Sequence, residues 1–186
     1  MRKDYGPKAA LYPMPVFVLG TYDDDGTPNA MTAAWGGISN DTEIGICISR
    51  DHQTTFNIEK RKAFTVMIGD AAHASECDYL GIVSGKDVKD KVAKAGLTTT
   101  KSGKVDAPII NEFAVCVECR VKSWDPEAER LVGEIVNLSI DEAVLTDGRP
   151  DIAKIRPISY DALNHTYNLI GVSVGNAWKD GLRFKK

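Results

Sequence analysis

Between Phe113 and Ser123 apolar and polar residues alternate without a break, with Phe113, Val115, Val117, Cys119 and Val121 sharing one face. Only an extended strand repeats every second residue, so this run reads as a strand with one side on a core. The turn Asp125-Pro126-Glu127 ends it, and Leu131 to Ile140 supplies a second long strand. The pair reads as an antiparallel hairpin. The same signals recur upstream. Pro15 to Tyr22 holds the apolar run Val16-Phe17-Val18-Leu19, Asp25-Gly26 supplies the positive-φ chemistry of a hairpin turn, and Asn29 to Ser39 is the return strand. Glu43 to Ser49 places Ile44, Ile46 and Ile48 on one face and Gly45, Cys47 and Ser49 on the other, and Ala63 to Ile68 is a further apolar strand. Local hairpins without βαβ alternation predict a mainly β fold, a closed or nearly closed antiparallel barrel. The absence of a Gly-x-Gly-x-x-Gly pattern argues against a Rossmann domain.

Helices are expected in two places. Thr54 or Thr55 can cap a helix running to about Lys62. An insertion at about 70–96 holds a weak helix from Ala71 to Leu80. It also holds a stripe of Val88, Val92 and Ala95 closed by Gly96, with Lys91 on the other side. Residues 1–14 read as an extended arm and 97–111 as a loop, mobile from Thr98 to Gly103. The length of 186 residues suits one domain spanning 1–186.

The net charge of −3, and the lack of basic runs interleaved with aromatics, exclude a general nucleic-acid binder. No apolar run reaches the length of a membrane span, and the first residues lack the apolar core of a secretory signal, so a cytoplasmic protein without a membrane partner is expected. Four cysteines fit reduced thiols there. Cys116 and Cys119 form a Cys-x-x-Cys, but residues three apart on a strand point to opposite faces, so they read as two unrelated thiols. No metal site is expected: Asp23, Asp24 and Asp25 form a turn, and His73 and His165 have no ligand at metal spacing. No Gly-x-Ser-x-Gly elbow marks a hydrolase.

One stretch, Pro28 to Lys62, carries the functional signal. A strand of small and hydroxylated residues ends in Trp35, and a strand end delivers Ser49, Arg50, His52, Thr54 and Thr55 to a first helical turn. Free backbone amides, the helix dipole, hydroxyls and a guanidinium together suit an oxyanion. The small residues leave room for a flat ligand, so a flat phosphorylated molecule is one reading. An ordinary strand, turn and capped helix is the other.

The order of these pieces resembles the flavin reductase-like, FMN-binding split-barrel proteins, and within them the flavoredoxin type. The residues that carry the resemblance are Pro28-Asn29-Ala30-Met31-Thr32-Ala33-Ala34-Trp35, then Ser49-Arg50 with Thr54 and Asn57. Phe64-Thr65-Val66, Asp78-Tyr79, Gly81, Ser84-Gly85, Asp87, Lys91, Gly133-Glu134, Tyr160, Tyr167, Gly171 and Gly175 follow in order. The resemblance implies a Greek-key split barrel, a homodimer, and non-covalent FMN near the dimer interface. It implies that Asn29, Met31, Thr32 and Trp35 line the flavin, and that Ser49, Arg50, His52, Thr54 and Asn57 hold its phosphate and ribityl chain. Lys91 would reach the flavin or its phosphate, and Tyr167 would approach the ring from its own or the partner subunit.

The activity so implied is an oxidoreductase passing hydride or electrons from NAD(P)H to flavin or another acceptor, with no catalytic side chain required. The alternatives are a flavoredoxin-like carrier reduced by a redox protein partner, and a flavin- or heme-binding module without turnover. One departure stands out. Many members carry a His just before the Gly133-Glu134 strand, where a nicotinamide docks, and here the stretch reads Glu127-Ala128-Glu129-Arg130.

Overall fold

The alternating run becomes β9 (Val115–Asp125), hydrogen-bonded along its length to β10 (Arg130–Ile140). The computed structural model describes residues 1–185; Lys186, the last residue of the expected domain, lies outside them. The chain begins with β1 (Met14–Pro15), β2 (Phe17–Tyr22), β3 (Pro28–Ala33), β4 (Gly36–Asn40) and β5 (Glu43–Cys47). There follow α1 (Gln53–Arg61), β6 (Ala63–Ile68), α2 (Ala74–Ile82), α3 (Lys91–Lys94), β7 (Thr99–Lys101) and β8 (Pro108–Ile110). After β10 come β11 (Leu145–Thr146), β12 (Arg149–Pro150), α4 (Ile152–Ile155), β13 (Ile158–Asp161) and β14 (Thr166–Leu169).

Seven strands form one antiparallel sheet in the order β3-β2-β6-β9-β10-β5-β4. A small sheet, β1-β13-β14, pairs Met14 with Tyr160 and Tyr160 with Tyr167. No helix among the described residues is long and apolar enough to cross a membrane.

The apolar run at β2 has a direct structural cause. Val16 and Val18 pack into one core with Met67, Cys77, Leu80 and Phe113, whereas Phe17 and Leu19 pack into another with Ile44, Ile46, Ile58 and Phe64. A strand buried on both faces needs apolar residues at every position. Burial on both faces also settles the Cys-x-x-Cys: Cys116 belongs to the first core and Cys119 to the second. Burial pushes both thiols up to about 12, so neither is a ready nucleophile or redox partner. Phe113 precedes the strand and joins the first core, while Val117, Val121 and Cys119 sit on the second.

Three expectations need revision. The return strand from Asn29 to Ser39 is broken at Ala34 and Trp35: β3 pairs with β2, and β4 pairs with β5 at the far side of the sheet. The chain thus crosses from one edge to the other within two residues of Trp35. Thr99–Lys101 is not a mobile loop but pairs with Pro108–Ile110. The connection between them is pinned by Ser102, whose hydroxyl bonds the buried Glu118 carboxylate and accepts from the amides of Lys104 and Val105. Finally, the stripe Val88, Val92, Ala95 forms only the short α3, and Lys91 points inward at 2% exposure.

Candidate functional site

The site grows from the start of α1. His52 occupies the N-cap position in extended backbone and makes no side-chain capping bond, and the first turn holds no acid. The threonines expected to cap it are engaged elsewhere. Thr55 Oγ1 donates to Ser49 O at 2.6 Å, and Thr54 Oγ1 accepts from Asn29 Nδ2 at 2.9 Å. The Thr55 amide donates to His52 O at 3.0 Å, which leaves the Gln53 and Thr54 amides without an internal partner among the described residues, at the positive end of the helix dipole. They face a cavity of about 210 Å³ walled by His52, Gln53, Thr54, Ser84, Gly85 and Lys91, among others.

Lys91 reaches this cavity from the opposite side. Its Nζ donates to Leu80 O at 3.1 Å and to Val83 O at 2.7 Å, the carbonyls around the end of α2. It forms no ion pair among the described residues. An ammonium has three N–H groups, so one remains for the cavity. Burial pulls its pKa down to about 8, and the charge on Asp23 only partly opposes this. A buried cation without a counter-ion, opposite an uncapped helix start, fits an anionic group of phosphate type.

A larger cleft of about 470 Å³ adjoins this cavity, the two sharing Met31, His52, Gly81 and Ile82 in their walls. Thr32 lies in one wall, its hydroxyl donating to Cys77 O at 2.5 Å. Trp35 stands at the rim, half-exposed, and its carbonyl accepts from the Cys47 amide at 2.8 Å. The opposite wall comes from the β13–β14 hairpin. Tyr167 donates to Asp78 Oδ1 at 3.0 Å, and the Tyr160 hydroxyl lies 3.2 Å from His165 Nδ1. Burial and the Asp78 bond raise the Tyr167 pKa, keeping it a neutral donor. Burial likewise lowers the pKa of His52.

Of the expected residues, Met31, Thr32, Trp35, Ser49, His52 and Tyr167 line the larger cleft, and Thr54 and Lys91 line the smaller cavity. Three stand apart. Asn29 is buried behind the wall, holding Thr54 in place while its own Oδ1 has no partner among the described residues. Asn57 donates to Thr21 Oγ1 and Asp23 Oδ1 and accepts from Gln53, so it braces α1 against β2. The Arg50 side chain is exposed and lines neither cavity. Its amide and the Ser49 hydroxyl both donate to Glu129 Oε1, at 3.1 and 2.9 Å, and these bonds lower the Glu129 pKa. A carboxylate of the protein itself thus holds two donors of this segment, the Ser49 hydroxyl and the Arg50 amide.

Asp78, Gly81, Ile82, Tyr160 and His165 complete the walls and were not expected as site residues. The pairing of Tyr160 with Tyr167 across a tight hairpin is the one local signal that could have placed the first hydroxyl beside the second.

The cleft, the buried cation beside a helix start and the seven-stranded sheet together describe a half-barrel with a cavity large enough for a small ligand. The chain matches the model of the flavin reductase like domain over residues 9–158, and it belongs to that family. Flavoredoxin of Desulfovibrio vulgaris (Miyazaki F) is similar at 35% identity over 97% of this chain and 100% of that one, with a TM-score of 0.93. Flavoredoxin from Methanosarcina acetivorans is similar at 27% identity over 99% of this chain and 100% of that one, with a TM-score of 0.88. An FMN-binding domain of a flavin reductase-like enzyme from Shewanella baltica shares the fold, at 19% identity over 87% and 89% of the two chains and a TM-score of 0.77. The fold is therefore the mainly β split barrel of this family.

Proposed function

We propose that the cleft binds FMN non-covalently and that the protein is a flavin-dependent oxidoreductase. The observation that carries this reading is the Lys91 ammonium, buried, free of any ion pair among the described residues, and facing a cavity that opens into a larger cleft. Lys91, the Gln53 and Thr54 amides and the Thr54 hydroxyl would hold the phosphate. Met31, Thr32, Trp35 and Tyr167 would hold the ring. When bound, FMN supplies the hydride or electron transfer, and the protein binds and orients it. Asn29 and Asn57 act from behind by fixing Thr54 and the start of α1. Tyr167, kept neutral by Asp78, is a donor to the ring end of the cleft.

The electron donor divides two readings. NAD(P)H is the donor of a reductase. A redox protein is the donor of a flavoredoxin-like carrier, and two observations favour it. The 35% identical neighbour is a flavoredoxin, and Glu129 sets a carboxylate beside Ser49 at the cleft wall, unfavourable to an anionic dinucleotide. An anaerobic absorbance spectrum with FMN, then with NADH, NADPH and a reduced ferredoxin-type protein in turn, separates them. Bleaching by a nicotinamide selects the reductase, and bleaching by the protein donor alone selects the carrier. A colourless protein that takes up no FMN defeats the whole reading.

Trp35→Ala is expected to brighten bound-flavin fluorescence and shift its bands with little change in Tm, since Trp35 is half-exposed. An unchanged spectrum would remove Trp35 from the ring environment. The free thiols fit a reducing compartment, the cytoplasm. A homodimer belongs to the same reading, because large apolar side chains of the terminal segments lie open to solvent in the single chain, among them Leu11, Val172 and Trp178.

A further inference from the structure

Residues 172–185 leave the body of the protein and carry large apolar side chains outward. Val172, Val174, Trp178, Leu182 and Phe184 are 88%, 98%, 94%, 57% and 77% exposed. The segment nevertheless has an ordered shape of its own. Asp180 Oδ2 accepts from the Asn176 amide at 2.8 Å, the amides of Lys179 and Asp180 return to Asn176 O, and Asp180–Phe184 forms a 3-10 turn. An ordered apolar segment whose large side chains stand open to solvent is built to be covered.

A matching surface lies on the same molecule. A groove of about 480 Å³ runs between the N-terminal arm at Leu11 to Pro15 and the strand ends at Trp35, Cys47 and Leu131, with walls almost wholly apolar. Charge favours the same pairing. Residues 172–186 hold Lys179, Arg183, Lys185 and Lys186 against Asp180, a net of +3; the whole chain carries −3, which leaves −6 on the remainder. The β9–β10 turn, which borders the groove at Arg130, bears Asp125, Glu127 and Glu129.

We infer that residues 172–185 of one copy dock into this groove on a second copy, in a reciprocal exchange. The inference rests on the homodimer proposed above and adds what the second copy contributes to the site. The groove and the larger cleft share Ala34, Trp35 and Cys47. A docked segment therefore backs the wall that Trp35 presents to the cleft, and each cleft is complete only in the pair.

The test is a photo-crosslink from Trp178→p-benzoylphenylalanine in the full chain, with light and 15N-labelled protein mixed and refolded together. Heavy-to-light links from position 178 to peptides containing residues 9–15, 34–36, 45–47 or 130–132 are expected. Links confined to one copy, links elsewhere on the second copy, or no link between copies overturn the inference. A second variant carries Trp178→Ser, Leu182→Ser and Phe184→Ser, all exposed positions whose loss leaves each fold intact. By sedimentation its dimer dissociation constant should rise about tenfold or more. An unchanged constant overturns the inference as well. FMN uptake by the unmodified chain is measured alongside. Its failure defeats the flavin reading and leaves the crosslink result standing on its own.

Discussion

Lys91→Met is expected to weaken FMN binding by about 10- to 100-fold, the loss of a charge-assisted hydrogen bond of about 1.5–3 kcal/mol. Riboflavin, which lacks the phosphate, should bind the variant as it binds the parent. The comparison between the two ligands guards against a general disturbance of the loop around Val83, whose carbonyl also loses a donor. Equal losses for both ligands would show that Lys91 holds the loop and not the phosphate. The same residue predicts a pH dependence. Its pKa in the free protein lies near 8, below the ordinary lysine value of 10.5. A phosphate monoester has lost its second proton by pH 7, so its charge is constant above that point. FMN affinity should therefore fall by about tenfold per pH unit above 8, up to the higher pKa of Lys91 in the complex, with riboflavin affinity flat. Stability of the free protein should move the other way. Between pH 8 and 10.5 the unfolded chain holds a proton that the folded chain has released, so folding stability rises with pH across that window.

The second large effect lies in the barrel. Phe64 is fully buried, and a Cβ built on Gly133 would sit 2.4 Å from its ring and 3.2 Å from Cys119 Cβ. Gly133→Ala is expected to cost about 1–3 kcal/mol by overpacking. Phe64→Ala is expected to cost about 3–5 kcal/mol by opening a cavity. The two changes are coupled through one contact, so the double variant should be more stable than the sum of the single losses allows. Urea denaturation measures all three, and strict additivity would mean that Gly133 is not there for Phe64.

What could be read from the residues follows from how local each cause is. The apolar run Val16 to Leu19 and the alternation at Ile44, Ile46 and Ile48 state which faces are buried, and the sheet honours both. The break at Ala34 and Trp35 was not legible, because a strand that changes partners looks locally like one that does not. Lys91 was misplaced because helical periodicity has little meaning over the four residues of α3. Two carbonyls eight and eleven residues away turn it inward. Arg50 looked like an anion ligand beside a helix start. The residue that takes its amide lies 79 positions further on. In the candidate site, local sequence thus pointed to the start of α1 and Trp35, and missed the wall at Tyr160 and His165, because nothing in the β13–β14 hairpin itself says that it packs against the cleft.

The Glu129 carboxylate has a consequence for traffic at the cleft. A side chain tethered to its own receptors competes at an effective concentration in the millimolar range or above. A free anion at cellular concentration has to displace it from the Ser49 hydroxyl and the Arg50 amide, and gains little by doing so. The protein thus carries its own plug at one end of an otherwise inviting row of donors, and a phosphate is expected at the other end, where Lys91 is the charged group in the cavity wall among the described residues.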